Sequence, residues 1–215
     1  MARRFVLLAH RIPVSGAFTL NDLAGGAGRM DEVARAVSTG FTISNDLRRD
    51  TEMVILLVAE PPPRARRIRI EGSRVRYLNP DERSTAALLK NALVRSALLA
   101  HDVESSPGLV VGPVDPAEAL RGYARAPGAF WLAEGGVPLR AWSVPAGEFT
   151  AIVSDPTDPT PEEEEILRGA GIPRVSVGPR SLRTSQVVDL VHNEFDLRED
   201  GPPSGATPGS TPEEG

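Results

Sequence analysis

The sequence has 215 residues, of which 40% are hydrophobic and 25% charged, and its formal net charge is −5. This balance is typical of a globular protein, and the length suffices for one sizeable domain or two small ones. Cysteine is absent, which excludes disulfides, thiolate metal sites and a cysteine nucleophile. No apolar run approaches the roughly 20 residues that span a bilayer, and no signal peptide is evident. We therefore expect a cytoplasmic protein with no metal site and no membrane segment.

The charge is unevenly distributed along the chain. Residues 1–100 contain 16 basic and 10 acidic residues, whereas residues 101–215 contain 8 and 19. A basic half on an acidic protein is consistent with contact to a polyanion, and an uneven solvated surface explains it equally well. Lys90 is the only lysine, so nearly all cations are arginines, whose planar guanidinium groups suit phosphates and base edges.

The first half of the chain predicts strands alternating with helices. Residues 3–11 and 51–59 are apolar runs typical of buried strands, and helical spacing of apolar residues predicts a helix over about 31–44. Alternating arginine and apolar residues around Gly72 and Ser73 predict a β-hairpin with a cationic face that carries Arg67, Arg69, Arg74 and Arg76. A strong helical pattern follows over 84–100.

The second half predicts three strand–loop units and two further helices with N-terminal caps. A strand over 108–112 precedes a short helix with Asp115 as N-cap and Pro116 at its first position. Strands begin near 129, 148 and 174, and Thr160 caps a helix with an acidic first turn. An amphipathic helix ends the folded part, and the residues from 198 onward lack core-forming side chains, which predicts a disordered tail over 198–215.

Strands that alternate with helices predict an α/β fold with a mainly parallel sheet, in which ligands bind at the carboxyl ends of strands. Three successive strands end there in small-residue turns, namely Gly135-Gly136, Ser154-Asp155-Pro156 and Gly178-Pro179. These turns together suggest one pocket. None of them matches the G-x-G-x-x-G or P-loop motifs, so a Rossmann dinucleotide site and an NTPase site are not supported.

Four sequence blocks resemble one known family. They are "GGAGRMDEVARAVSTGFTISNDLRRD", "NPDERSTAALLKNAL", "SVGPRSLRTSQVVDLV" and "HNEFD", in this order along the chain. Together they resemble the archaeal tRNA pseudouridine-54 N1-methyltransferases of the SPOUT superfamily, over roughly residues 3–197. The resemblance implies one SPOUT methyltransferase domain over 1–197, with helices on both faces of the sheet and a C-terminal trefoil knot. It also implies a homodimer.

The resemblance further implies that S-adenosylmethionine lies in the pocket and that N1 of pseudouridine 54 in the tRNA T-arm receives the methyl group. The cofactor-binding residues carried over from the family are Leu132, Gly135, Ser154, Asp155, Val177, Gly178, Leu182 and Ser185. For Leu132, Val177 and Leu182, ordinary core packing is the alternative.

For the target base, the resemblance implies catalytic roles for Asp46, Arg48 and Asp50. It implies RNA-binding roles for Arg29, Asp31, Arg49 and Arg83. The base must lose its N1 proton as the nitrogen attacks the methyl group, so a carboxylate or a water is a reasonable acceptor. The alternative for the "NDLRRD" stretch is a solvated charged turn. We expect His192 to be structural, because it lies late in the last helix.

One departure from the family pattern is plain, because Val187 stands where relatives often have cysteine. Two rival functions stay open at this point, and the departure at Val187 supports only the second of them. One is the same chemistry on a ribosomal RNA pseudouridine, and the other is a non-catalytic RNA-binding homodimer that kept the fold.

Overall fold

The computed structural model describes residues 3–58, 65–143 and 148–200. Within them the chain forms five α-helices and ten strands, and a short 3-10 helix covers Leu139–Ala141. The helices are α1 (Met30–Phe41), α2 (Glu82–Ser96), α3 (Pro116–Ala124), α4 (Pro161–Gly169) and α5 (Thr184–Asp200). The strands are β1 (Arg3–Ala9), β2 (Thr42–Ile43), β3 (Asp46–Leu47), β4 (Thr51–Leu57), β5 (Arg66–Glu71), β6 (Val103–Ser106), β7 (Leu109–Pro113), β8 (Ala129–Pro138), β9 (Phe149–Ser154) and β10 (Arg174–Ser176).

One eight-stranded sheet organises these elements, in the order β10-β8-β9-β1-β4-β5-β7-β6. The pairs from β10 to β4 are parallel, and the pairs from β4 to β6 are antiparallel. The predicted α/β class with a mainly parallel sheet is therefore confirmed for the half of the sheet that carries the three predicted loops. The other half is an antiparallel extension that the sequence patterns did not predict.

Helices cover both faces of the sheet, as predicted. Phe5 and Leu7 of β1 lie in a core with α1, α2 and α5, whereas Val6 and Leu8 lie in a second core with α3 and α4. All four side chains are at most 1% exposed. Because successive side chains of a strand point to opposite faces, the unbroken apolar run of β1 is what a strand buried on both sides requires.

The predicted helix caps are confirmed. Asp115 accepts a hydrogen bond from the backbone N–H of Glu118, and Pro116 occupies the first position of α3. Thr160 accepts from the backbone N–H of Glu163, whose carboxylate in turn accepts from the N–H of Thr160. This reciprocal pair satisfies two backbone donors that the first turn of α4 leaves without an intrahelical partner.

The predicted hairpin around Gly72 and Ser73 is wrong. β5 ends at Glu71, and both of its hydrogen-bonding edges are occupied, by β4 on one side and β7 on the other. A second arm after Gly72 therefore has no edge to pair with. The chain turns instead, and Gly72 packs so closely on the turn before β4 that a Cβ atom there would lie 2.2 Å from the carbonyl oxygen of Arg48.

Several predicted boundaries also shift. α1 ends at Phe41 rather than near residue 44, because Thr42 is extended and opens the β2–β3 hairpin. α2 begins at Glu82 behind the N-cap Asp81, and ends at Ser96. α5 continues to Asp200, beyond the expected start of the tail, and residues 201–215 lie outside the described residues.

Candidate functional site

A cavity of about 750 Å³ opens at the carboxyl ends of β8, β9 and β10. Its wall comes from three segments that follow or interrupt these strands, together with the first turns of α1 and α5. Two of the three predicted small-residue turns, Ser154-Asp155-Pro156 and Gly178-Pro179, contribute lining residues to this site, as predicted. The predicted strand end at Gly135-Gly136 is wrong, because β8 continues to Pro138, and these glycines instead follow the lining residues 131–134. The wall segments meet because the parallel pairing of β10, β8 and β9 brings their carboxyl ends to the same edge.

The first wall segment is an excursion inside β8. Trp131 pairs with Arg174 of β10, and the next paired residue of β8 is Val137, so residues 132–136 leave the ladder. Gly135 has φ +70°, which favours glycine, and a Cβ at Gly136 would lie 2.6 Å from the carbonyl carbon of Arg174. The two glycines thus have separate roles, a left-handed turn and a close backbone approach. Leu132 and Glu134 of this excursion line the cavity.

The second wall segment follows β9 and is held by a largely buried histidine side chain. The carboxylate of Asp155 contacts His10 twice, accepting from its backbone N–H at 3.0 Å and lying 3.0 Å from its Nδ1. The other ring nitrogen, Nε2, lies 2.9 Å from the carboxylate of Glu163 at the start of α4. Burial disfavours the charged ring, but the hydrogen bonds to Asp155 and Glu163 outweigh it and raise the pKa of His10 to about 9. His10 is therefore an imidazolium at neutral pH.

The third wall segment is the Gly178-Pro179 elbow between β10 and α5. A Cβ atom at Gly178 would meet nothing within 4 Å, and its φ lies outside the left-handed region. Among the described residues, the backbone N–H groups of Ser181 and Leu182 donate to no protein acceptor. The hydroxyl of Thr184 donates to the carbonyl of Ser154, at 2.8 Å, and ties this segment to the end of β9. The elbow thus presents open space and spare backbone donors to the cavity.

The start of α1 closes the remaining side. Arg29 precedes the helix with φ 70°, an uncommon conformation for a side-chain-bearing residue, and its guanidinium forms a two-pronged contact with Asp31 and a third bond to Glu32. Burial alone would raise the pKa of Asp31, but the bonds and charges of Arg29 and Arg35 hold it below its ordinary value. Glu32 was not predicted from the sequence. It is 3% exposed and lines the cavity, and its Oε2 is buried without a hydrogen-bond partner among the described residues.

Six of the eight residues predicted to bind the cofactor line the cavity, namely Leu132, Ser154, Asp155, Val177, Gly178 and Leu182. Gly135 and Ser185 do not line it. Gly135 shapes the β8 excursion, and Ser185 is 7% exposed inside the first turn of α5. Val187, which replaces the cysteine of the family pattern, does line the cavity. The cofactor roles of these residues stay predictions.

The residues predicted to be catalytic lie at the other end of the parallel strands, where β1 and β4 begin, and we refer to this end as the opposite edge of the sheet. Asp50 directly precedes β4, whose first residue pairs with Arg3 at the start of the parallel strand β1. The cavity lies beyond the far end of β9, which runs in the same direction. A seven-residue strand spans about 20 Å, so within one chain neither Arg48 nor Asp50 reaches the cavity.

Several charged side chains at this opposite edge form ion pairs with one another inside the protein. Arg48 donates two hydrogen bonds to Asp196 of α5, at 3.0 and 2.7 Å, and Asp196 also accepts from the buried Arg3. Asp50 pairs with Arg3 at 3.2 Å. Burial alone would raise the pKa of Asp196, but the bonds from Arg48 and Arg3 hold it below its usual value. The network joins the end of α5 to the beginnings of β1 and β4.

The other predicted RNA-binding residues are divided between the two edges. Arg29 lines the cavity, whereas Asp31 is buried and does not line it. Arg49 is exposed at the opposite edge, where it pairs at 3.1 Å with Asp46, one of the three residues predicted to be catalytic. Arg83 is exposed near the start of α2 and donates to the carbonyl of Leu20.

His192 is structural, as expected from its position. It is 1% exposed, packs on Phe5 with ring centroids 4.8 Å apart, and its Nε2 lies 3.0 Å from the carbonyl oxygen of Gly40. Burial, together with the nearby charges of Arg48 and Arg3, lowers the pKa of His192 to about 3. The ring is therefore neutral and donates to Gly40, which joins α5 to α1.

Residues 2–199 match the family model described as "Putative SAM-dependent RNA methyltransferase". The chain belongs to this RNA methyltransferase family. It is 39% identical over 196 residues to the tRNA (pseudouridine(54)-N(1))-methyltransferase of Methanocella arvoryzae. The alignment covers 91% of this chain and 100% of that protein. The protein of the same name from Haloferax volcanii is 37% identical over 90% of this chain and 96% of its own length. The resemblance inferred from the four sequence blocks is thereby confirmed.

The fold resembles that of Archaeoglobus fulgidus Nep1, whose crystal structure was determined with bound S-adenosylhomocysteine. The TM-score is 0.62, and the likeness covers 91% of this chain and 98% of that chain at 15% sequence identity. At this identity the likeness concerns the fold alone. It agrees with a mixed α/β methyltransferase fold built on a mostly parallel sheet.

The residues of this RNA methyltransferase's cavity fit S-adenosylmethionine, the cofactor of its family. Leu132, Val177 and Leu182 offer an apolar wall for a purine, and the spare N–H groups of the elbow can bind its polar edge. The vacant space at Gly178 gives room for a ligand beside the backbone. No group of three or more histidine, aspartate or glutamate side chains in the described residues could hold a metal ion. The described part of the chain also has no helix long and apolar enough to cross a membrane.

Proposed function

We propose that this protein transfers the methyl group of S-adenosylmethionine to N1 of pseudouridine 54 in the T-arm of tRNA, in the cytoplasm. The observation that carries the proposal is the end-to-end match with tRNA (pseudouridine(54)-N(1))-methyltransferases, at 39% identity over nearly the whole of both chains. A cavity with a suitable lining, formed by the three loops, supports the same conclusion.

The cofactor supplies an electrophilic methyl group, and the protein has to hold that group in line with N1 of the base. In the proposal, Leu132, Val177 and Leu182 pack against the purine, and the backbone around Gly178 binds its polar atoms. Ser154 and Asp155 form the part of the wall that follows β9. Arg29 is the predicted RNA-binding residue that lies in the cavity wall, where its half-exposed guanidinium faces the space beside the cofactor.

Deprotonation of N1 leaves negative charge on the carbonyl oxygens of the base, and an arginine in the cavity stabilises such charge. Arg29 suits this role because Asp31 and Glu32 fix its guanidinium from two directions. Val187 lies in the same wall and carries no ionisable group, so the reaction proceeds without a thiol.

Asp46, Arg48 and Asp50 take part in the proposal only through a second chain. Because they lie at the edge opposite the cavity, a homodimer must bring one chain's "NDLRRD" turn to the other chain's cavity. Exposed Tyr77, with φ 63°, and the arginines 49, 74 and 76 line a depression at this edge, which suits an RNA strand. The trefoil knot belongs to the proposal as well, and the convergence of the three loops at one sheet edge supports it.

The test is a methylation assay with labelled S-adenosylmethionine and two T-arm transcripts, one with pseudouridine and one with uridine at position 54. We expect N1-methylpseudouridine from the first transcript and no product from the second. In uridine N1 is bonded to the ribose and carries no proton, so it cannot accept a methyl group in the same way. Cofactor binding without transfer to either transcript would point to another RNA. A protein that does not bind the cofactor would contradict the proposed function itself.

A further inference from the structure

His10 joins three parts of the molecule at the edge of the cavity. It follows β1 directly, while its two carboxylate partners come from the segment after β9 and from the first turn of α4. The side chains of His10, Asp155 and Glu163 are only 9%, 2% and 11% exposed. The backbone strengthens the junction, since the N–H of Asp155 donates to the carbonyl of Leu8 at 2.9 Å.

The segment held by this junction cannot easily stabilise itself. Residues 155–163 include prolines at 156, 159 and 161, which have no N–H group to donate. Two of the remaining donors are bound by the same two carboxylates. The N–H of Thr157 donates to Asp155 at 2.9 Å, and the N–H of Thr160 donates to Glu163 at 2.7 Å. His10 therefore fixes both acceptors on which the segment's own backbone depends.

The geometry also defines the charge state of the junction. Both ring nitrogens of His10 lie within 3.0 Å of a carboxylate oxygen. A neutral imidazole has one N–H and one lone pair, so one of these contacts would set a lone pair against a carboxylate. An imidazolium donates from both nitrogens, and it also places a positive charge between two buried negative ones.

We propose that His10 is a positioning residue of the cofactor site, which holds the 155–163 segment in place so that Asp155, Pro156, Asp158 and Pro159 form the cavity wall. These four residues line the cavity, whereas His10 does not. The proposal rests on the function proposed above, since it assigns the cavity to the cofactor. The contacts by which His10 holds the 155–163 segment form within the protein without any ligand.

The test uses His10→Ala, which removes both ring contacts, and His10→Asn, which keeps one amide donor near Asp155. Leu93→Ala is the matched control, because Leu93 is fully buried in α2, beside the antiparallel half of the sheet. Its truncation destabilises the fold without touching the 155–163 segment. Two quantities are measured for each variant, amide hydrogen exchange of the 155–163 peptide and the Kd of S-adenosylhomocysteine by calorimetry.

We expect exchange in the 155–163 peptide and the Kd each to increase by roughly tenfold or more in His10→Ala. His10→Asn should show smaller increases, and Leu93→Ala should match the wild type in both despite a lower Tm. Unchanged exchange in both His10 variants would overturn the proposal, as would faster exchange with an unchanged Kd. A wild-type protein that fails to bind S-adenosylhomocysteine overturns the proposed function and the cofactor part of this inference, while the exchange result still decides whether His10 fixes the segment.

Discussion

A substitution at the single residue Gly178 should affect cofactor binding but not folding. The φ of Gly178 is not left-handed and a Cβ atom there would meet nothing within 4 Å among the described residues, so this part of the fold does not require glycine. We expect Gly178→Ala to change the free energy of unfolding by less than about 1 kcal/mol. The added methyl group should nevertheless weaken cofactor binding roughly tenfold or more, because it occupies space beside the elbow backbone, and calorimetry would measure this.

The matched control is Gly122→Ala. Gly122 lies inside α3, where a Cβ atom also meets nothing within 4 Å, and it does not line the cavity. This variant should be more stable by about 0.5–1 kcal/mol, since alanine favours a helix over glycine, and should bind the cofactor as the wild type does. Equal affinities of the Gly178 and Gly122 variants would contradict the assignment of the elbow to the cofactor.

His10 also predicts how stability depends on pH. Its pKa is raised from 6.5 to about 9 in the folded protein, so the folded state holds the proton more tightly than the unfolded chain. The stabilisation by the charged ring is complete below about pH 6.5 and is lost as the pH rises through about 9. We expect the difference in unfolding free energy between the wild type and His10→Asn to fall by about 3 kcal/mol between pH 6 and pH 9.5, as measured by urea denaturation. A difference that is constant over this range would mean that the ring is neutral.

At the scale of elements, sequence patterns predicted what depends on local rules. The caps Asp115 and Thr160 act through their own helix turns, and the buried run of β1 depends only on being covered from both faces, so all three could be predicted. The hairpin around Gly72 failed because alternation does not show which strands occupy the two edges of β5. Only the sheet order decides that.

The same limit applies to the candidate site. Loops after neighbouring parallel strands meet at one edge by a general rule, so much of the cavity wall could be predicted from the turns after β9 and β10. Glu32 and His10 could not, because a glutamate in a helix and a histidine after a strand are ordinary in sequence. Their meaning comes from burial and from partners more than 140 positions away, as with His10 and Asp155.

Helix α5 is anchored to the strands through Asp196. This carboxylate accepts from Arg3, which is 3% exposed, and from Arg48, so its loss leaves two cations with fewer partners. We expect Asp196→Asn to lower the free energy of unfolding by about 1–3 kcal/mol, a value tempered by the partial exposure of Asp196. Asp189→Asn is the control, because Asp189 is exposed on the same helix and makes no ion pair within the described residues. Equal losses in the two variants would show that the network contributes nothing.

At the scale of the whole molecule, the distance between the two edges of the sheet makes a strong prediction about assembly. If the "NDLRRD" turn acts on the base, the turn of one chain must serve the cavity of another, and each site then needs two chains. Asp46→Ala tests the turn with little risk to folding, because Asp46 is exposed and, within the described residues, its carboxylate bonds only Arg49 and the N–H of Leu47. A bulky Gly178→Leu blocks the cavity instead. We expect each variant alone to lose most of its methyl transfer while light scattering shows a dimer.

Mixing the two variants then decides the arrangement. Random exchange of chains makes half of the dimers mixed, and each mixed dimer has one site with an intact turn and an intact cavity. About a quarter of wild-type activity should therefore return, which is far above the activity of either variant alone. Full activity of Asp46→Ala by itself would remove the turn from the reaction. Two inactive variants that stay inactive on mixing would contradict a site shared between the turn of one chain and the cavity of another.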